Sequence, residues 1–157
     1  MEAINKKKME PVINIVKHGF PVNEPIMYGG VNLLMHAAGN CTEAELALIM
    51  TLEPDVNLRD NLGRSAMHFA CRAGNLATFR ILNDHDDTDI DAVTNAGVTP
   101  LMMAIESGKI QLVAECLNNN FNPFLRDALD RMAIDYAMQY RDRLGHDMRE
   151  LISKAME

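Results

Sequence analysis

Alanine returns at positions 37, 70, 104 and 137, each time in the same eight-residue setting. The clearest copy is Gly97-Val98-Thr99-Pro100-Leu101-Met102-Met103-Ala104, closed by Gly108. Gly63 to Ala70 repeats it, closed by Gly74. Gly30 to Ala37 and Asp130 to Ala137 are the other two copies. A period near 33 residues constrains the fold more than any single motif does. A unit of that size cannot bury its apolar face alone, so neighbours must stack and share a continuous core.

The chemistry of the unit follows from its residues. A Thr or Ser hydroxyl at a helix start can accept an orphan backbone N–H, and Pro fits the first helical turn. Thr99-Pro100 and Ser65-Ala66 stand at such starts. The small residue at 37, 70, 104 and 137 lets two helices approach closely. Gly74 and Gly108 suit a left-handed end to the first helix, and Asn118-Asn119-Asn120 suits the end of a second one. Thr42-Glu43-Ala44-Glu45 reads as a capping box that opens a helix running to about Leu52. Further helices are predicted over 33–38, 66–73, 76–83, 100–107, 110–118 and 145–155. The predicted N-terminal pair covers 2–7 and 10–18, where Pro11 falls in a first turn and Val12, Ile15 and Val16 form an apolar stripe.

These copies resemble the ankyrin repeat. The Thr-Pro-Leu at 99–101 matches best, and Gly19 to Asn23, Asp55-Val56-Asn57, Asp89-Ile90-Asp91 and Asn120-Phe121-Asn122 match the end of the repeat. Leu33 and Ala133 replace the proline, and Asp130 replaces the glycine. The resemblance implies an all-α solenoid of helix-turn-helix units joined by short β-hairpin-like turns. It divides the chain into one domain over 1–157: an N-terminal capping repeat at 1–26, internal repeats at 27–59, 60–93 and 94–126, and a C-terminal capping repeat at 127–157. With a cap at each end, a complete domain is expected. The resemblance also implies that His68 ties adjacent repeats and that Asp60 and Asp127 brace their hairpins.

Composition narrows the function. The net charge of −7 argues against general nucleic-acid binding. No apolar run approaches the length of a membrane span, and no apolar stretch follows Lys6-Lys7-Lys8 to make a signal peptide. Cys41, Cys71 and Cys116 are scattered, without metal spacing, and read as reduced thiols of an intracellular protein, cytoplasmic or nuclear. The twelve methionines read as core residues, with Met102-Met103 the exception. The aspartates of 84–91 lack the glycine and glutamate of a calcium loop. No Ser/Cys–His pair, phosphate loop or aromatic cage is present. The expectation is therefore no enzyme, no cofactor and no metal.

What remains is a surface. The resemblance implies a concave face of hairpin tips and first-helix turns that binds partner proteins. The repeat phase puts there Tyr28 and Val31; Arg59, Asn61, Leu62, Arg64 and Arg72; Asn95, Val98 and Glu106; and Arg126, Leu129, Arg131 and Tyr140. Five arginines against one glutamate suggest a basic groove for an acidic peptide. Val31, Leu62, Val98 and Leu129 would supply the apolar contacts. Pairing of those arginines with Asp60 and Asp127 is the competing reading. The charge-reversed pair Arg64→Glu and Arg72→Glu is expected to weaken binding at little cost in stability. The function expected is a monomeric scaffold or adaptor module. The alternative is a stand-alone inhibitor or regulatory subunit of a kinase or transcription factor.

Overall fold

The computed structural model describes residues 21–157 together with Asn14, His18 and Gly19. The helices expected over 2–7 and 10–18, with Pro11 and the Val12 stripe, lie outside the described residues. Eight helices follow in four antiparallel pairs: α1 Leu33–Asn40 and α2 Glu43–Met50; α3 Ala66–Ala73 and α4 Leu76–Asn83; α5 Pro100–Glu106 and α6 Ile110–Asn118; α7 Ala133–Ala137 and α8 Arg143–Ala155. The first helices α1, α3, α5 and α7 stack in sequence, and the second helices form the outer layer. Among the described residues the only extended pairing is an isolated bridge between Pro25 and Asn32. The chain is thus the all-helical solenoid its period specifies.

Five of the eight helices, α1, α2, α4, α5 and α8, start at a side chain that accepts an orphan N–H. Asn32 Oδ1 accepts from Met35 N–H at 2.9 Å, and Thr99 Oγ1 accepts from Met102 N–H at 3.2 Å. The box at Thr42 closes both ways. Thr42 Oγ1 accepts from Glu45 N–H, and Glu45 Oε2 accepts from Thr42 N–H at 2.8 Å. The last pair is irregular: α7 has five residues, and the link to α8 runs from Met138 to Asp142.

The alanines at 37, 70, 104 and 137 are fully buried. There the helix backbones meet with only a methyl group between them. Ala104 sits in α5, packed between α3 and α7. Ala104→Leu is expected to lower the urea midpoint, with overpacking costing about 1–3 kcal/mol. An unchanged midpoint would remove Ala104 from the helix contact.

The methionines depart from expectation. Met102 and Met103 are buried, because both line the α5 core faces, whereas Met27 and Met138 are more than half exposed. Met27 lies on a turn, and Met138 follows the end of the short α7.

Neighbouring repeats are joined by polar clasps as well as by the core. Thr78 Oγ1 donates to the Ala38 carbonyl at 2.6 Å, and Asn75 Nδ2 donates to the Cys41 carbonyl at 3.0 Å. Asn23 Oδ1 accepts from Asp55 N–H, Asn57 Oδ1 from Asp89 N–H, and Asp91 Oδ1 from Asn122 N–H, all at 2.8–2.9 Å. The Asp-Val-Asn strings are therefore inter-repeat latches. The fourth string lies two residues later than the expected 120–122: Asn122 takes the donor place of Asp55 and Asp89, so Phe124 takes the acceptor place, where it cannot accept and is exposed.

Candidate functional site: the hairpin tips and first-helix face

Four turns project from the stack, and the same bonds build each. Asp60 N–H donates to the Arg64 carbonyl, Thr94 N–H to that of Val98, and Asp127 N–H to that of Arg131, each at 3.0 Å. Ile26 and Met27 N–H share the Val31 carbonyl. A side-chain oxygen fills three of the turns. Asp60 Oδ1 accepts from Leu62 and Arg64 N–H, Asp127 Oδ1 from Leu129 and Arg131 N–H, and Thr94 Oγ1 from Val98 N–H. Asp130 takes the glycine conformation at φ 62°, so the fourth hairpin keeps its form without glycine. Local Asx chemistry makes this tolerable for aspartate.

The tips also bond to one another. Asn61 N–H donates to the Gly29 carbonyl at 2.7 Å, Asn95 N–H to that of Leu62 at 3.0 Å, and Ala128 N–H to that of Ala96 at 2.8 Å. Asn95 Nδ2 adds a bond to the Asn61 carbonyl. The result is one continuous tape across four repeats.

The predicted residues divide on this tape. Tyr28 is fully exposed, and Leu62 and Leu129 are 57% and 72% exposed. Asn61, Asn95, Arg72 and Glu106 are also exposed. Val31, expected as an apolar contact, is instead core at 9% exposure, because its turn folds it against the first helix pair. Val98 is half-buried against the same core. Tyr140 is half-buried, its hydroxyl donating to the Glu106 carbonyl at 2.8 Å.

Four of the five arginines are paired. Arg64 binds Asp60 at 2.6 Å and Arg131 binds Asp127 at 2.7 Å. Arg59 reaches Asp89 at 3.4 Å and the Val93 carbonyl at 2.6 Å, and Arg126 reaches Asp130 at 3.1 Å. Arg72 has no ion pair among the described residues. The bracing of Asp60 and Asp127 has a consequence for the charge-reversed pair. Glutamate at 64 would face the nearly wholly buried Asp60 carboxylate, so Arg64→Glu cannot leave stability untouched.

Two Arg pairs are built alike. The Arg64 guanidinium lies 4.6 Å over the Phe69 ring, and that of Arg131 lies 4.6 Å over the Tyr136 ring. Burial alone would raise the Asp127 carboxyl. The bonds from Arg131, Tyr136 and Leu129 together outweigh it and hold the group well below the usual carboxylate range. Burial, then the Asp127 hydrogen bond and charge, push Tyr136 up to about 12. The sequence carried a sign of this: Asp, Arg and an aromatic recur at 60, 64, 69 and at 127, 131, 136. Phe69 and Tyr136 were not among the predicted contacts, because spacing alone does not show a ring lying beneath an arginine.

His68 is the structural centre of the face. Its Nε2 lies 3.1 Å from the Val98 carbonyl of the next repeat, which fixes Nε2 as the protonated nitrogen. Nδ1 then accepts from Ser65 N–H at 3.1 Å, with the Ser65 hydroxyl 3.0 Å away. Burial pushes the ring down to about 4, against the opposing effect of the Val98 bond. The implied tie between repeats is thus present, made by a neutral imidazole. No His/Cys/Asp/Glu group with metal geometry occurs among the described residues. No described helix is long and apolar enough to cross a membrane.

These features define a stacked repeat domain with a bonded rim of hairpins. A family profile described as "Ankyrin repeats (3 copies)" matches residues 1–94 and again 34–127. The chain belongs to the ankyrin repeat family. It is 26% identical over 136 residues to neurogenic locus notch homolog protein 1 of Danio rerio, covering 87% of this chain and 6% of that protein. It is 34% identical over 87 residues to neurogenic locus notch homolog protein 2 of Homo sapiens, covering 55% and 4%. The chain therefore spans only a small fraction of the length of the curated relatives it matches.

Proposed function

We propose that this chain is a non-catalytic, monomeric protein-interaction module that holds a partner protein on its hairpin tips and first-helix face. The observation that carries the reading is the row of exposed apolar side chains, Tyr28, Leu62 and Leu129, on a hydrogen-bonded tape. The tape costs little further ordering on binding, which favours recognition by preorganisation. Repeat stacks bind through extended surfaces of this kind. Neither a cofactor nor nucleic acid is part of the reading. An intracellular site, cytoplasmic or nuclear, agrees with the thiols: Cys71 and Cys116 are buried and unpaired, and burial, then the neighbouring Cys116 thiol, pushes Cys71 well up.

The test compares the wild-type chain with Leu62→Ser plus Leu129→Ser as baits in native extract. Both side chains are exposed, so the variant should keep its unfolding midpoint. A partner held by the wild type should be depleted on the variant, with cross-links mapping to the tips. Equal capture by both baits, cross-linked elsewhere, would refute the proposed face.

A further inference from the structure

We infer that the first-helix face takes an extended polyproline-type peptide segment, with acidic side chains six residues apart and an apolar side chain midway between them. This rests on the reading of that face as a partner surface and names the partner's chemistry. Two observations point to it: the like-built arginine platforms of the second and fourth repeats, and the apolar repeat between them.

Each platform presents the positive end of an ion pair. Arg64 Nε and Nη2 both bind Asp60 Oδ2, and Arg131 Nε and Nη2 both bind Asp127 Oδ2. The two carboxylates are nearly wholly buried, while the arginine side chains are 18% and 47% exposed. The Nη1 group of each arginine has no partner among the described residues. The aromatic ring beneath and the carboxylate behind hold each fork in place, so little side-chain entropy remains to be lost. A ligand carboxylate meeting Nη1 gains a charge-assisted bond to a fixed donor. In the third repeat the position equivalent to both arginines is Val98, half-buried, which offers an apolar side chain and no charge, while Met103, equivalent to the two rings, is buried beneath it.

The spacing then selects the ligand backbone. Packed helices lie about 8–10 Å apart, so successive first helices set that step along the face. A polyproline II segment has three residues per turn and rises about 3.1 Å per residue, or about 9 Å per turn. Residues i, i+3 and i+6 of such a segment share one side, in step with the repeats. A β-strand turns over every second residue and would put the middle side chain on the wrong side. A segment of the form acidic-x-x-apolar-x-x-acidic therefore sets one side chain on each of Arg64, Val98 and Arg131.

The probe is a fluorescein-labelled peptide with the core Glu-Pro-Ala-Leu-Pro-Ala-Glu, read by fluorescence anisotropy against the full chain. The peptide with both glutamates changed to glutamine should bind about tenfold more weakly or less, and so should one with an alanine inserted on either side of the leucine. Arg64→Lys with Arg131→Lys keeps the charge beside each aspartate and removes the second fork. It should reduce the preference for glutamate over glutamine severalfold. Equal binding of the three peptides, or no binding of the glutamate peptide, overturns the inference. If the tip variant loses a captured partner while the peptide fails to bind, the broader reading stands and this one falls.

Discussion

Titration of the wild-type chain from pH 6.5 to pH 4 is expected to remove about 3 kcal/mol of its stability through His68 alone. The ring is buried, and in the folded chain it protonates only near 4, against 6.5 when unfolded. Between those values the unfolded chain binds a proton that the folded chain refuses, so stability falls as pH falls. Below about 4 both states carry the proton and this loss ends. The geometry gives the reason. Protonated Nδ1 could no longer accept from Ser65 N–H, and a buried cation would lie between two helices with no carboxylate bonded to it. Asp127 acts in a different window. Its depressed carboxyl contributes stability that is lost only as pH falls below its unfolded value of 3.8. Urea unfolding at several pH values separates the two. His68→Phe should start less stable, because the bonds to Ser65 and Val98 are gone, yet lose much less between pH 6.5 and 4. An equal slope in both proteins would mean that His68 is not the titrating group.

The helices were legible where local rules agree. At α3 and α4 the apolar period, the polar residue at the start and the stop point to the same bounds, and at α6 the period and the asparagine stop do so without a capping side chain at Lys109; those bounds hold. At α8 they diverge. The cap is Asp142 and the helix starts at Arg143, two residues before the predicted start and in phase with Glu43, Leu76 and Ile110; the link before it is long because α7 ends early. The role of His68 was legible through the family resemblance, since the partner carbonyl on Val98 lies thirty residues away. Much less of the surface could be read. Arg64 and Asp60 are four residues apart, and sequence alone gives no measure of whether the side chains pair or point apart. Only the turn, which buries the carboxylate and swings the guanidinium over Phe69, decides it. Val31 was misplaced for a similar reason. Its turn position is equivalent to that of Arg64, but an apolar side chain there folds inward, where an arginine reaches out.

Gly63→Ala is expected to cost about 3 kcal/mol, roughly three times the cost of Gly29→Ala in the neighbouring turn. Both glycines are left-handed, at φ 77° and 86°, so an alanine at either pays about 1 kcal/mol in backbone energy. Their surroundings differ. A Cβ at Gly29 meets nothing within 4 Å. A Cβ at Gly63 would lie 2.6 Å from Asn95 Oδ1, 2.8 Å from Asn95 N and 3.2 Å from the Thr94 carbonyl carbon. The side-chain oxygen can swing away, but Asn95 N cannot. Its N–H is the rung to the Leu62 carbonyl, and its Nδ2 holds the Asn61 carbonyl. Relief of the clash must therefore move the third tip off the second and break the tape that carries the partner surface. Amide exchange reads this directly. The Asn95 N–H should lose protection in Gly63→Ala and keep it in Gly29→Ala, and the urea midpoint should fall in the same order. Equal midpoints, with Asn95 protected in both, would mean that the tips are not in contact and that the tape is not a unit.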